Sequence, residues 1–324
     1  MRDPRPLRIG TRGSRLALWQ AAHVATRLTS AWPRLRVETR TFETTGDRVA
    51  DVPLPRIGDR GLFTRDIEDA LREGAIDIAV HSLKDLPTAP SEGTVVGAVL
   101  DRADPREALV SRNGLTLAGL PRGARVGTSS LRRRAQLLAL RPDLEILDVR
   151  GNVPTRVDKV ARGDYDAVLL ASAGLARLSL LDRAVELFDT ATIVPAPGQG
   201  ALAVQTRSGD SEMTAILGAI DDQQVRLATL SERTVLGKLQ GGCQAPLGAF
   251  ADWRSDGQLR IVAVVGAVHE ARLVRADASR PVSSTADAIA LGETVADELR
   301  ARGAAEMLAA AREWVAAVSA GDRA

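Results

Sequence analysis

RVGTSSLRRRAQLLALRPDLEILDVRGNVPTRVDKVARGDYDAVLLA, residues 125–171, alternates short apolar runs with helical stretches, and that alternation decides the fold. Arg125-Val126-Gly127 reads as a strand that enters the polar turn Thr128-Ser129-Ser130, and Leu131 to Leu140 reads as a helix. Leu144 to Val149 is the next strand. Arg150-Gly151-Asn152 caps a helix to about Arg162, with Pro154 in its first turn and Gly163 at its end. Asp166 to Ala171 is a third strand, leading to Gly174 and Arg177. Such a series implies a parallel sheet with right-handed crossovers.

The arginines of this stretch fall at one place in that topology. Arg132 and Arg133 lie in the first turn of one helix, Arg150 at a strand end, Arg156 in the next helix's first turns and Arg177 after the last strand. All five are expected along the carboxyl edge of the sheet, where ligands of open α/β sheets bind. Together with the hydroxyls of Thr128, Ser129 and Ser130 and free backbone N–H groups, they suit carboxylates or phosphates held in forked hydrogen bonds.

Working toward the N-terminus, Ala75-Ile76-Asp77-Ile78-Ala79-Val80 reads as a mostly buried strand and His81-Ser82-Leu83-Lys84-Asp85-Leu86-Pro87 as the loop after it. That loop sets His81, Lys84 and Asp85 at a strand's carboxyl end. A lysine there can anchor an anion, and an aspartate can stabilise a cation or move a proton. Leu7 to Gly10 and Val37 to Phe42 are further strands. Between them Thr11-Arg12-Gly13-Ser14 opens a helix whose apolar residues are Leu16, Leu18, Trp19, Ala22 and Leu28, a second anion-binding candidate. Thr44 to Gly61, rich in Gly, Pro and charge, is expected to be a lid or a disordered loop. Leu62 to Glu73 is a helix with an apolar face of Phe63, Ile67, Ala70 and Leu71, ended by Gly74.

Val95 to Leu100 is a strand, and Asp101 to Arg106 crosses to the next domain. Ile193 to Gly200 is a second crossing, after which Ala201 to Thr206 is expected to rejoin the first sheet. The fold class is therefore α/β: two periplasmic-binding-protein-like lobes joined by two hinge crossings, with a cleft expected between them. The boundaries are 1–101 with 198–220 for the discontinuous first lobe and 106–194 for the second. From 222 to 324 the texture becomes a small α+β domain, with strands near Gly248–Trp253, Leu259–Val265 and Ala271–Ala276 and two Ala-rich helices. Its one unusual residue is Cys243, on a Gly-Gly loop. A lone cysteine is most often a small buried hydrophobe, whereas this setting also suits a tether or a nucleophile.

Bulk properties exclude several classes. The 43 basic and 41 acidic residues nearly cancel, so no whole-molecule field draws nucleic acid or membrane, even with a pI of 9.1. All the basic residues except Lys84, Lys159 and Lys238 are arginine. Aromatic residues make up 3%, too few for the stacking platform of a single-strand binder. One cysteine permits no intrachain disulfide and fits a reducing compartment. No signal peptide and no apolar run of about 18 residues is present, so a cytoplasmic protein is expected. We expect a monomer with no metal.

Five strings in unbroken order carry a resemblance: His81–Pro87, Gly127–Arg133, Arg150-Gly151-Asn152-Val153-Pro154-Thr155-Arg156, Pro195-Ala196-Pro197-Gly198-Gln199-Gly200 and Gly241-Gly242-Cys243. Together they resemble the hydroxymethylbilane synthase family, also called porphobilinogen deaminase, over nearly the whole chain. The resemblance implies an enzyme of tetrapyrrole biosynthesis that condenses four porphobilinogen molecules head to tail, releases ammonia at each step and frees linear hydroxymethylbilane with water. Growth would start on a covalently bound dipyrromethane cofactor, carried by Cys243 through a thioether. Asp85 matches the catalytic aspartate, which hydrogen-bonds pyrrole N–H groups and stabilises a cationic azafulvene. Arg12, Ser14, Lys84, Ser129, Ser130, Arg132, Arg133, Arg150, Arg156 and Arg177 match positions that bind acetate and propionate side chains, with Thr128 beside them. Phe63 and Gln199 match residues lining the cleft, and the loop from Thr44 to Gly61 matches a flexible lid.

Two departures stand out. Gly58-Asp59-Arg60-Gly61 replaces the common Gly-Gly-Lys-Gly, keeping the charge but stiffening the backbone at Asp59. Arg15 puts a bulky cation after the anion-binding loop. The rival reading is a non-enzymatic two-lobed binding protein for a dicarboxylate or oxyanion. An export signal or a DNA-binding appendage would favour it, and the third domain with Cys243 has no purpose there.

Overall fold

A computed structural model describes residues 5–44, 64–89, 91–240 and 245–320. These form two compact units, one from the described residues of 5–103 and 200–226, the other from those of 104–199 and 227–320.

The first unit is built on a five-stranded sheet of β1 (Leu7–Arg12), β2 (Val37–Phe42), β3 (Ile78–Ser82), β4 (Thr94–Val99) and β10 (Leu202–Arg207), in the order β2-β1-β3-β10-β4. β1 runs parallel to β2 and β3, and β10 runs antiparallel to both β3 and β4. The return of the chain after residue 200 into this sheet is as expected. Helix α1 (Arg15–Ala31) starts at Ser14, whose Oγ accepts from the Ala17 N–H at 3.3 Å. Its buried face is Ala17, Gln20, Ala21, Val24 and Leu28, while Leu18 and Trp19 are exposed. The expected apolar stripe is thus rotated: the residues spaced 17, 20, 21, 24 and 28 make one continuous face, and small alanines let the helix approach the sheet. Helix α2 (Arg65–Arg72) buries Ile67, Ala70 and Leu71 as expected, and also Glu68. Ile9, Leu28, Ile78, Val80, Leu202 and Val204 share the main core, which α6 (Ser211–Gly218) closes with Leu217.

In the second unit, β5 (Glu107–Ser111), β6 (Arg125–Gly127), β7 (Glu145–Leu147), β8 (Ala167–Ala171) and β9 (Glu186–Phe188) make a sheet in the order β7-β6-β8-β5-β9. β6, β7 and β8 are the expected parallel strands, linked by α3 (Leu131–Leu140) and α4 (Val153–Arg162). The sheet as a whole is mixed, because β5 runs antiparallel to β8 and β9. No crossover helix precedes β5. A strand reached through an extended connection is not bound to the parallel sense that a βαβ unit imposes. Asn152 caps α4 by accepting from the Thr155 N–H at 3.0 Å, and Gly163 ends it at φ 86°. A short helix, α5 (Ser172–Arg177), follows β8 and carries Gly174 and Arg177.

The rest of this unit is an antiparallel meander, β11 (Leu247–Trp253), β12 (Gln258–Gly266) and β13 (Leu273–Pro281). Helices α8 (Thr285–Ala301) and α9 (Ala304–Ala320) accompany it, with α7 (Gln223–Lys238) from Leu227 onward. Leu227, Val235, Leu259, Ile261, Leu291, Val295 and Leu299 form its core. Leu131 of α3 packs with Val268 and with Ala311, Trp314 and Val315 of α9, while the Arg134 guanidinium lies 5.7 Å from the Trp314 ring centre. Among the described residues no helix is long and apolar enough to cross a membrane.

Candidate active site

In the first unit the predicted residues His81, Lys84 and Asp85 lie at the carboxyl end of β3. The strand continues to Ser82, so His81 lies inside it and is buried, not on the loop where the sequence reading put it. Pairing with β10 carries the strand past Val80, Ala203 standing opposite His81 and Leu202 opposite Ser82, and the turn begins only at Leu83. Leu83–Asp85 form a single 3₁₀ turn. Buried Leu83 and Leu86 pin it from below; the Leu83 N–H donates to the Ala201 carbonyl at 3.1 Å and the Leu86 N–H to the Leu83 carbonyl at 3.2 Å. Lys84 is half-buried, and Asp85 stands exposed with no hydrogen bond or ion pair on its carboxylate among the described residues. A short, anchored turn therefore presents an available anion beside a cation. The Gln20 amide, buried on α1, donates to Ser82 Oγ at 2.8 Å and braces the start of that turn. Continuing the β1–β3 register brings Arg12, the last residue of β1, level with His81, and Ser14 follows as the α1 cap.

Beneath the turn is a buried polar cluster. His81 Nε2 and Gln205 Oε1 have no hydrogen-bond partner among the described residues. The Gln205 amide donates to Glu68 Oε1 at 3.0 Å, and Ser91 Oγ donates to Glu68 Oε2 at 2.8 Å. Burial pushes the His81 imidazole down to about 4; the Gln205 side chain opposes this shift and the Arg12 cation adds to it. His81 is thus neutral at physiological pH and packs as part of the core.

Among the residues of the second unit, the turn after β6 is internally bonded. Thr128 is buried, its Oγ1 accepting from the Ser130 N–H at 3.2 Å; Ser129 Oγ donates to the Val149 carbonyl at 2.8 Å; and Ser130 Oγ caps α3 by accepting from the Arg133 N–H at 3.5 Å. Arg132 and Arg133 are mainly buried and meet in the carboxylate of Glu107, itself completely buried. Gln199, expected to line a cleft, is also fully buried: its amide donates to the Pro105 carbonyl at 2.8 Å and to Glu107 Oε1 at 3.0 Å. Arg150 is half-buried after β7, and Arg177 half-buried in the last turn of α5.

Arg156 is the most informative of the five arginines. Its Nε donates to the Gly151 carbonyl at 2.7 Å. Burial and the Arg133 and Arg150 cations hold its pKa down at about 10. A guanidinium depressed that far still carries its charge at neutral pH, but at a cost that a ligand carboxylate would relieve. The structure therefore joins two of the predicted arginines, Arg132 with Arg133, through Glu107.

Phe63, Cys243 and nearly all of the loop from Thr44 to Gly61, including Asp59 and Arg60, lie outside the described residues. Glu107 and Gln20 escaped the sequence reading. The signal for Glu107 is a lone acid opening the apolar run Glu107-Ala108-Leu109-Val110, the same pattern that Asp77 makes in its own strand.

The family profile described as "Porphobilinogen deaminase, dipyromethane cofactor binding domain" matches residues 7–215, and the one described as "Porphobilinogen deaminase, C-terminal domain" matches residues 226–301. The chain is 48% identical over 304 residues to the porphobilinogen deaminase of Desulforudis audaxviator, covering 94% of this chain and 97% of that one. It is 45% identical over 305 residues to the same enzyme of Chlorobaculum parvum, again covering 94% and 97%. Among solved structures it is similar to the periplasmic VFT2 domain of Bordetella pertussis BvgS, at 15% identity and a TM-score of 0.41, covering 66% of this chain and 86% of that one.

Proposed function

The chain belongs to the porphobilinogen deaminase family, and from that premise we propose which of its residues carry the reaction. The enzyme is a transferase, hydroxymethylbilane synthase: it joins four porphobilinogen molecules head to tail on a covalently bound dipyrromethane and releases the linear product with water, in porphyrin biosynthesis. In each addition the aminomethyl C–N bond breaks and ammonia leaves. A C–C bond then forms to the α-carbon of the terminal pyrrole, which gives up its proton.

Asp85 is the catalytic residue in this assignment. Its carboxylate faces pyrrole N–H groups and stabilises the positive charge that develops as ammonia departs, a role that needs an anion held on a rigid support and not consumed by a neighbouring cation. Lys84, Ser130, Arg132, Arg133 and Arg150 are assigned to the cofactor's carboxylates. Arg12, Ser14, Thr128, Ser129, Arg150, Arg156 and Arg177 are assigned to those of the substrate, with Phe63 and Gln199 alongside. When bound, dipyrromethane supplies the first free pyrrole α-carbon. Cys243 is its thioether anchor. The observation that carries the assignment is the exposed Asp85 carboxylate, held on a turn anchored by buried Leu83 and Leu86 and without a hydrogen bond or ion pair among the described residues.

The domain limits 1–101 with 198–220, 106–194 and 222–324, a monomeric state, a cytoplasmic location and the lack of nucleic-acid or membrane partners complete the proposal. The near-balance of 43 basic and 41 acidic residues supports the last of these. The deciding experiment is the intact mass of the purified full chain before and after incubation with porphobilinogen, with the Cys243 peptide mapped. A mass excess of linked pyrroles on Cys243, absent from Cys243→Ser, is expected. A chain that gains no pyrrole mass, or a Cys243→Ser protein that still holds it covalently, would overturn the assignment.

A further inference from the structure

Glu107 is a completely buried carboxylate that the reaction leaves unused. Its Oε1 accepts from Arg132 Nη2 at 2.6 Å and from Gln199 Nε2 at 3.0 Å; its Oε2 accepts from Arg133 Nε at 3.0 Å and lies 2.8 Å from Arg133 Nη2. Two carbonyls complete the arrangement, Val194 on Arg132 Nη1 at 2.9 Å and Leu169 on Arg133 Nη1 at 3.0 Å. One buried anion thus orients two adjacent guanidiniums, each fixed by a carbonyl on its other arm. Two cations against one carboxylate leave an excess positive charge, to which Arg156 adds. A buried excess of this kind is costly on its own and favours an incoming anion.

The same carboxylate reaches the two chain crossings. Pro105 lies in the first and Gln199 in the second, and the Gln199 amide bridges the Pro105 carbonyl and Glu107. On the first unit's side of the boundary the crossings are paired again, by the Ala103 N–H donating to the Gly200 carbonyl at 3.1 Å. Gly200 has φ 93°, and a Cβ there would stand 2.3 Å from the Ala103 carbonyl oxygen, so the pairing admits no side chain.

We infer that Glu107 is the positioning residue of the arginine pair: it fixes the orientation in which Arg132 and Arg133 meet the carboxylates of cofactor and substrate, and through Gln199 it ties that orientation to the two crossings. This rests on the arginine assignment proposed above. Glu107 touches no ligand. Its removal would leave two buried guanidiniums free to turn toward whatever acceptors remain, so that a ligand carboxylate must first pay to realign them.

The test measures pyrrole mass gained by the full chain as a function of porphobilinogen concentration, with thermal unfolding followed in parallel. In Glu107→Gln the half-saturating concentration is expected to rise on the order of tenfold or more, while the folded fraction still unfolds cooperatively. Glu107→Asp should recover part of the loss, and Gln199→Met should shift the same value a few-fold. A purely structural role would lower the unfolding temperature and leave half-saturation of the folded protein unchanged. Normal loading by Glu107→Gln would overturn the inference. If that variant does not fold, Glu107→Asp and Gln199→Met decide, and half-saturation like the parent's in both would overturn it equally. A parent chain that gains no pyrrole mass indicts the reaction assignment instead, so the two failures are told apart.

Discussion

At the amino end of β3, Asp77 accepts from Arg8 Nη2 at 2.9 Å, Arg8 Nε at 3.1 Å, the Arg8 backbone N–H at 2.9 Å and Arg5 Nη2 at 3.0 Å. At the carboxyl end, Asp85 stands exposed on its 3₁₀ turn with no described partner. The two acids belong to one short segment and are chemically identical, yet one is consumed by structure and the other is available for chemistry. Burial would raise the Asp77 pKa, but the hydrogen bonds from Arg8 and the Arg8 and Arg5 cations outweigh it and hold the carboxyl below its usual range. A carboxylate already holding three hydrogen bonds from one arginine has little left to offer a substrate.

Substituting the available acid should have the largest effect. Asp85→Asn is expected to lower turnover on the order of a thousandfold while leaving thermal unfolding within about 0.5 kcal/mol of the parent. A normal rate in that variant would remove Asp85 from its role and erase the contrast with Asp77. The reverse pattern is expected of Asp77→Asn. Because it weakens the hydrogen bonds that a buried carboxylate accepts from partly buried Arg8, it should cost about 2 kcal/mol in urea unfolding, with turnover of the folded protein retained. Loss of turnover without loss of stability would show that Asp77 had been misread. Its contribution has a pH window of its own: with a depressed pKa, the stabilisation is present above the ordinary value of 3.8 and is lost as pH falls below it.

His81, between the two acids, gives a finer test. It is held neutral in the folded protein to about 4 against an ordinary 6.5, so the unfolded chain takes up its proton first as pH falls. Stability is therefore full above 6.5 and declines between 6.5 and 4, by on the order of 3 kcal/mol. Urea unfolding of the parent at pH 7 and pH 4.5 should show that decline, and His81→Gln should flatten it. An equal slope in both proteins would mean that another group titrates there.

Much of this was legible in the chain. The α3 and α4 boundaries, the capping roles of Ser130, Asn152 and Gly163, and the return of β10 to the first sheet follow from local rules of capping, periodicity and turn chemistry. The family strings made Asp85 and the arginines nameable before any geometry. Three features were not legible. The rotated face of α1 depended on which side met the sheet, since Leu18 and Trp19 are as apolar as the alanines that won. The antiparallel sense of β5 came from an extended crossing that carries no directional signal. The burial of Arg132, Arg133 and Gln199 depended on Glu107, far from all three in sequence.

The sequence by itself thus determined what each segment would become and which residues could do chemistry, because helix caps, strand periods and charged side chains are properties of neighbours along the chain. Only the tertiary structure decided which charges are spent and which are left. Asp77 and Asp85 differ by the partners that folding brings to them from distant segments, and burial turns that difference into energy by removing the water that would otherwise make them equivalent.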